Sequence, residues 1–378
     1  MDSLVTQMTA DERTQMTADV SSHQRSDQRP SAIEIAGRKI GPGHPCFIIA
    51  EAGVNHNGDV ALAKRLVDAA VTAQADAVKF QTFKAERIVT SSAPTVAYQA
   101  STTHRQESQL ELLRRLELSE EAHRAVWAYT RAREILCFSS PFDEGSADFL
   151  EALGVPAYKL ASGELTNLPF LSHVARKGTP LLMSTGMSTL AEVDTALEAV
   201  YGAGNRQVVL LHCVSTYPAN PRDANLRAIQ TMAGAFGVPV GYSDHTLGIE
   251  VALAAVALGA CVIEKHVTLD RRLPGPDHRA SLEPEALTAL VRGIRTVEAA
   301  LGHGRKEPVP NEAEVACAAR KSLVAAQQIP QGSRLTTELI AIKRPGTGLP
   351  PAVLDHLLGR TAIREIPADT LLTMEMFA

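Results

Sequence analysis

Val238-Pro239-Val240-Gly241-Tyr242-Ser243-Asp244-His245-Thr246-Leu247-Gly248 decides how this chain is read. A short apolar run stops abruptly in small, polar and ionisable side chains, and an apolar helix-like run, Ile249 to Leu258, follows at once. Strand alternation places Gly241, Ser243 and His245 on one face and Val240, Tyr242 and Asp244 on the other. A hydroxyl and an imidazole therefore point the same way at the end of a strand, and Gly241 reads as room for substrates beside them. A second strand, Val262-Ile263-Glu264-Lys265-His266-Val267, places Glu264 and His266 on one face. Side by side, the two strands bring two histidines together, which makes a candidate divalent-metal site.

The same unit recurs along the chain. Strand candidates are Cys46–Gly53, Ala77–Phe83, Leu136–Pro141, Ala157–Ser162, Pro180–Thr185, Val208–Val214, Val238–Asp244 and Val262–Val267. Helical spacing follows at 59–73, 119–133, 144–153, 168–177, 189–202, 223–235, 249–258 and 284–301. Eight strands, each followed by a helix over roughly 260 residues, read as a (β/α)8 TIM barrel of the α/β class. A doubly wound sheet is the rival architecture, but it rarely needs eight such regular units.

The polar residues gather at the C-terminal ends of these strands, the face on which this fold builds active sites. They are Glu51 with Asn55, His56 and Asn57; Lys79 and Gln81; Ser139 and Ser140; Lys159, Ser162 and Glu164; Ser184 and Thr185. His212, Ser215, Tyr217, Ser243, His245, Glu264 and His266 complete the ring. A purely structural barrel gains nothing from such a ring, because burying ionisable groups costs free energy unless they are paired. The pattern is that of an enzyme. Two ammonium groups, Lys79 and Lys159, with the hydroxyls of Ser140, Ser162, Ser184 and Ser243, suit a small multi-anion carrying phosphate and carboxylate. His245 and His266 are candidate ligands of one divalent ion with open positions for water and substrate. Glu51 and Glu264 are candidate bases or partners behind the ligands. An amidohydrolase-like barrel would carry His-x-His after its first strand, where Asn55-His56-Asn57 offers one histidine only.

Composition bounds the remaining classes. A chain of 378 residues, 45% hydrophobic and 21% charged, suits one large domain with an addition. Its formal net charge of −5 and the lack of a Lys/Arg block argue against a nucleic-acid partner. The five cysteines are odd in number and show no paired spacing, which favours a reducing cytoplasm. Cys213 reads as core with no catalytic role. No apolar run reaches membrane-spanning length, so no membrane partner is expected. Residues 1–31 are polar, with Thr6–Asp11 repeated at Thr14–Asp19, and read as a disordered arm. The barrel domain spans 32–301, and 302–317, with Gly302, Gly304, Pro308 and Pro310, reads as a linker. Residues 318–378 form a small second domain with Ser322–Ala326, Leu339–Lys343 and Thr361–Ile363 as strand candidates.

Several stretches together resemble the sialic acid synthase family, the phosphoenolpyruvate-dependent synthases of N-acetylneuraminic acid and related nonulosonic acids. They are Phe47–Gly58, Val78-Lys79-Phe80-Gln81-Thr82, Tyr158–Glu164 and Met183-Ser184-Thr185-Gly186-Met187. Leu211-His212-Cys213, Tyr217-Pro218, Gly241–Gly248, Glu264-Lys265-His266 and Gly275-Pro276-Asp277-His278 follow in family order. The resemblance covers about residues 33 to 378, and the tail, with Lys343-Arg344-Pro345-Gly346, resembles the family's antifreeze-like (SAF) domain.

The resemblance implies roles. Lys79, Ser140, Lys159, Ser162, Ser184, Ser215 and Ser243 would contact phosphoenolpyruvate. Gln81, Glu164, Tyr217 and Asp277 would hold the amino sugar, and Arg344 would reach it from the other subunit of a domain-swapped homodimer. His245 and His266 would bind Mn2+ or another divalent ion such as Mg2+ or Co2+, with Glu51, Glu164 and the two histidines as the catalytic set. The implied reaction condenses phosphoenolpyruvate with N-acetylmannosamine to N-acetylneuraminate, with phosphate released by C–O cleavage. The alternative is N,N'-diacetyllegionaminate from a 2,4-diacetamido-2,4,6-trideoxy-mannose. Position 215 is Ser where some members carry Asn. The loop from Ser91 to Ser108, which matches poorly apart from Tyr98-Gln99 and Glu107-Ser108-Gln109, is expected to close over the sugar, and its Glu-Ser-Gln stretch disfavours the pseudaminic branch.

Overall fold

The computed structural model describes residues 32–91, 93 and 108–378, and within these each of the eight apolar runs is a strand. A hairpin that the sequence pattern does not announce precedes them: β1 (Ile33–Ile35) and β2 (Arg38–Ile40) pair antiparallel. Its two-residue loop has φ of 49° at Ala36 and 79° at Gly37, the left-handed pair that a tight hairpin turn requires. Then come β3 (Phe47–Gly53), β4 (Ala77–Thr82), β5 (Leu136–Pro141) and β6 (Tyr158–Leu160). The remaining four are β7 (Leu181–Ser184), β8 (Val208–Cys213), β9 (Val240–Asp244) and β10 (Val262–His266). All eight are parallel, in sequence order, and β10 pairs with β3 to close the barrel.

The helices fall where the spacing expects them: α1 (Val60–Thr72) follows β3, and the others run in order to Pro284–Leu301 after β10. Among the described residues two further helices lie between β4 and the helix Glu120–Ala132: α2 (Ala85–Ile88) and α3 (Gln109–Leu116). The second begins with a capping box, Ser108 and Glu111 each bonding the other's backbone, a Ser-x-x-Glu signal legible in the sequence. The arm 1–31, and nearly all of the loop expected to close over the sugar, lie outside the described residues.

Alternation divides each strand between two environments. Outward side chains such as Ile48, Ala50, Val78, Phe80, Tyr158, Leu160, Tyr242 and Ile263 pack against the helices. Inward side chains make two layers. Phe47, Ile49, Ala77, Phe138, Ala157, Leu182, Val209, Leu211 and Val262 form an apolar floor, and Ile33, Ile35 and Ile40 of the hairpin join it at the end where the strands begin. Above the floor the inward positions become polar.

Gly241 belongs to the floor, which corrects its reading as space for substrates. A Cβ there would lie 2.6 Å from the Val262 Cβ, 2.6 Å from the Val262 carbonyl oxygen and 2.7 Å from Leu211 Cδ2. The missing side chain makes room for two neighbours. Gly241→Ala is expected to destabilise the barrel by about 1–3 kcal/mol, seen as a lower urea midpoint. An unchanged midpoint would show that the floor can yield.

The chain divides into a unit ending at Gly302 and a second from His303 to Ala378. A helix, Glu312–Ala319, begins inside the segment read as a linker and runs two residues past its expected end at 317. The second unit pairs β11 (Ser322–Ala325) with β12 (Ile340–Lys343) antiparallel. Its core is built from Leu323, Ala325, Ile329, Leu335, Leu357, Ile366, Leu372 and Phe377. The third strand candidate, Thr361–Ile363, makes only isolated bridges, Arg334 to Thr361 and Ala362 to Phe377. Buried Ser322 ties the fold by donating to the Pro345 carbonyl at 2.7 Å and accepting from Gly348 N at 2.9 Å. Among the described residues no helix is long and apolar enough to cross a membrane.

Candidate active site

The polar layer lines a cavity of about 370 Å³ at the C-terminal mouth of the barrel. Its wall contains Glu51, Lys79, Gln81, Ser140, Lys159, Ser162, Ser184, Ser215, Tyr217, Ser243, His245, Glu264 and His266. Strand register brings these together from distant parts of the sequence: Glu51 lies opposite Lys79, Gln81 opposite Ser140, and Ser243 opposite Glu264. Ser139, Thr185 and His212 face elsewhere. Ser139 bonds Thr82, Thr185 donates to the Leu211 carbonyl, and His212 Nε2 bonds the Ala224 carbonyl at 2.7 Å. They are structural, one residue out of phase with the cavity.

At the base of the cavity two lysines and two carboxylates interlock. Lys79 Nζ lies 2.9 Å from Glu51 Oε2 and 3.7 Å from Glu264 Oε2, and it donates to Ser140 Oγ at 3.1 Å. Lys159 Nζ lies 3.5 Å from Glu264 Oε1, which also accepts from Ser243 Oγ at 2.9 Å. All four ionisable side chains are buried. The environment drives the two carboxyls apart. Burial pushes Glu51 up to about 7, with Lys79 pulling against it. Burial acts the same way on Glu264, but Lys159 and Lys79 outweigh it and hold that carboxyl near 2. Glu264 is thus the fixed anion between two cations, and Glu51 is the group that can exchange a proton near neutrality. Burial also lowers Lys159, whereas Lys79 is held above its ordinary range by Glu264 and Glu51 despite its burial.

The two histidines stand at the ends of adjacent strands, His266 closing β10 and His245 directly after β9, with ring centroids 5.3 Å apart, and the Tyr217 ring lies 4.1 Å from His245 and 5.6 Å from His266. His245 Nδ1 donates to the Val214 carbonyl at 2.7 Å, which leaves Nε2 as the ring's basic nitrogen. His266 Nδ1 is buried without a hydrogen-bond partner, 3.9 Å from Asp277 Oδ2. Burial, with His245 and Lys79 nearby, keeps the His266 imidazole neutral, well below its usual range. Two imidazoles with available lone pairs fit a divalent ion. Among the described residues no cluster of three or more His, Cys, Asp and Glu side chains is arranged to hold one, so the remaining positions would fall to water or substrate.

Asp277 and Glu164 do not line this cavity. Asp277 sits behind His266, on a loop tied down by Ser281, whose Oγ donates to the Asp277 carbonyl and accepts from Asn55 Nδ2. Burial raises the Asp277 carboxyl to about 6. Glu164 ends a short turn after β6, accepts from Asn167 Nδ2 at 2.8 Å, and is raised by burial. Arg344 is an exposed residue of the second unit, just after β12.

Two residues at the cavity escape a reading from sequence. Cys213, expected to be core, is buried but faces the cavity, with Sγ 3.8 Å from His245 Nδ1. Burial opposes ionisation of this thiol, yet His245 beside it brings it below the usual thiol range. Gly186 is enclosed by two serines: its N–H donates to Ser162 Oγ at 3.0 Å, and a Cβ would lie 2.2 Å from Ser215 Oγ. The alternation of β8 could have found Cys213, two residues from Leu211 on the same face; Gly186 left no signal beyond Ser184-Thr185-Gly186 itself.

Comparison with known proteins gives this geometry a setting. Residues 66–306 match the NeuB family and residues 320–378 match the SAF domain. The chain is 47% identical to the N,N'-diacetyllegionaminic acid synthase of Legionella pneumophila, over 89% of this chain and 95% of that protein. It is 38% identical to the human N-acetylneuraminate-9-phosphate synthase, over 92% and 97% respectively. Among solved structures, the N-acetylneuraminic acid synthetase of Leptospira borgpetersenii superposes with a TM-score of 0.69 at 37% identity, covering 76% of this chain and 96% of that one.

Proposed function

The chain belongs to the NeuB family of sialic acid synthases, and from that premise we propose that it condenses phosphoenolpyruvate with an N-acylated amino hexose to make a nonulosonic acid. The paired cations over a closed apolar floor carry this reading, because they form a seat for a compact multi-anion beside two imidazoles. Lys79 and Lys159 hold the carboxylate and phosphate as point charges, and Ser140, Ser162, Ser184, Ser215 and Ser243 supply hydroxyls. Among the described residues the buried Ser184 hydroxyl has no partner, as a donor awaiting an anion would be.

His245 and His266 would hold the divalent ion, Mn2+ first among the candidates, which when bound polarises the sugar's open-chain aldehyde. Gln81 and Tyr217 would orient the sugar from the cavity wall, Glu164 and Asp277 would do so from the turns beside it, outside that wall, and Arg344 would be supplied by a second copy of the chain in a homodimer. C3 of phosphoenolpyruvate then attacks the aldehyde carbon, whose oxygen takes up a proton and becomes a hydroxyl. Water adds to the oxocarbenium-like C2 and gives a proton to Glu51. The tetrahedral intermediate expels phosphate by breaking its C2–O bond while the C2 hydroxyl gives its proton to the departing phosphate, which leaves the 2-keto acid. Positioning and electrostatics carry the rate, and no covalent nucleophile is required. A cytoplasmic location fits these reactants.

For the sugar, the greater identity to the diacetyllegionaminic acid synthase supports the 2,4-diacetamido-2,4,6-trideoxy hexose ahead of N-acetylmannosamine. The test is a phosphate-release and product assay with both sugars side by side, with and without Mn2+. Release is expected only when sugar and metal are both present, with the diacetamido sugar turned over faster. Faster turnover of N-acetylmannosamine overturns the sugar choice, and full activity in chelator overturns the metal.

A further inference from the structure

One buried ion pair stands outside the cavity and has no part in the chemistry above. Lys265 and Asp244 occupy paired positions on β10 and β9, on the outer face of the sheet, and both side chains are 0% exposed. Lys265 Nζ lies 2.6 Å from Asp244 Oδ2 and donates to the Thr246 carbonyl, also at 2.6 Å. The other carboxylate oxygen, Asp244 Oδ1, accepts from Thr246 N at 2.9 Å and Thr246 Oγ1 at 2.8 Å. The pair therefore grips the residue before His245 and the residue after it, while Lys265 is itself the residue before His266. Removing two charges from water is rarely repaid in stability, and apolar side chains of similar size often serve a core as well. What the ionic pair adds is direction: two short contacts from one ammonium fix strand against strand at the height of the imidazoles.

We propose that the Asp244–Lys265 pair is a positioning element that sets the spacing and orientation of His245 and His266 from the far side of the sheet. The metal-binding arm of this inference rests on the two-histidine reading above; the imidazole geometry does not. The test variant is the double substitution Asp244→Asn with Lys265→Met. It removes both charges at nearly constant volume and keeps an acceptor for Thr246, so that the link between the strands is lost and the local turn is kept. Mn2+ affinity, read by electron paramagnetic resonance on folded protein, is expected to fall about ten- to hundredfold, the range for losing support behind a ligand. In the metal-free protein, 15N spectra of labelled histidine are expected to show one fixed tautomer for His245 in the wild type, protonated at Nδ1, and a shifted or averaged signal in the variant.

Wild-type Mn2+ affinity together with an unchanged His245 signal in the variant overturns the proposal. A wild-type protein that takes up no Mn2+ sinks the metal reading instead, and the histidine spectra alone then decide: changed signals uphold the positioning role and unchanged signals overturn it. If the double variant does not fold, Asp244→Asn alone is put through the same two measurements, and the same results uphold or overturn the positioning role.

Discussion

Glu51→Gln is expected to lower kcat by about 10²- to 10⁴-fold, the usual range for losing a general base, with little change in the affinity for phosphoenolpyruvate. The glutamine keeps the shape of the side chain and one acceptor oxygen for Lys79, and removes the carboxylate's charge together with its ability to take a proton. Burial holds the Glu51 carboxyl up to about 7, so the enzyme should lose activity as pH falls through that region. The sign follows from the direction of the shift: below a raised pKa the carboxyl is protonated and cannot accept the proton of the adding water. The pH–kcat profile of the variant should lack this acid limb. Stability should move the opposite way. A carboxyl raised in the folded state favours the fold while protonated, so its ionisation penalises the wild type as pH rises from the ordinary carboxylate range through about 7. The glutamine variant escapes that penalty and should gain on the wild type over the same window in urea titrations. A kcat within about twofold of wild type would remove Glu51 from the chemistry.

Lys79→Met should both abolish turnover and unsettle the barrel. Lys79 is buried between Glu51 and Glu264 and is the nearer cation to Glu51. Truncating one partner of a buried pair leaves the other charge uncompensated, at a cost of about 3–5 kcal/mol. Here the stranded carboxylates are Glu51, which loses its partner at 2.9 Å, and Glu264, which is left with Lys159 at 3.5 Å as its counter-ion. The urea midpoint is expected to drop accordingly. Adding Glu51→Gln to Lys79→Met should recover part of that loss without recovering any activity, since the two residues are in contact and their effects do not add. A single variant with the wild-type midpoint would show that the cavity takes up water readily enough to solvate both carboxylates.

The barrel is legible in the sequence because its strands and helices have different periods and alternate eight times between Phe47 and Leu301. The sorting of charge is legible too, since Glu51, Lys79, Lys159, Ser243 and Glu264 sit at strand ends where a buried structural face has no use for them. What alternation does not reveal is which neighbour fills a given space. Gly241 shares a face with Ser243 and His245, yet the room it leaves belongs to Val262 and Leu211, residues of other strands whose height depends on the barrel's stagger. Alternation also puts Asp244 and Lys265 on the outer face, but only the register between β9 and β10 makes them partners. The split between Glu51 and Glu264 is likewise invisible in sequence, because it arises from the number of ammonium groups within reach of each carboxylate.

The interior of the barrel is stratified, with apolar side chains below and the lysine–carboxylate layer above, both anchored on strands whose backbones are bonded on two sides. Tyr217 at the cavity wall, and Glu164 and Asp277 beside it, stand instead on turns and loops. Inheritance can therefore work on the two parts separately. Under the proposed reaction, loop substitutions that admit a different acylated sugar would leave the anion seat intact, whereas a change in the strand layer would remove the seat itself. A lineage built this way could diversify its acceptor while its donor stayed constant.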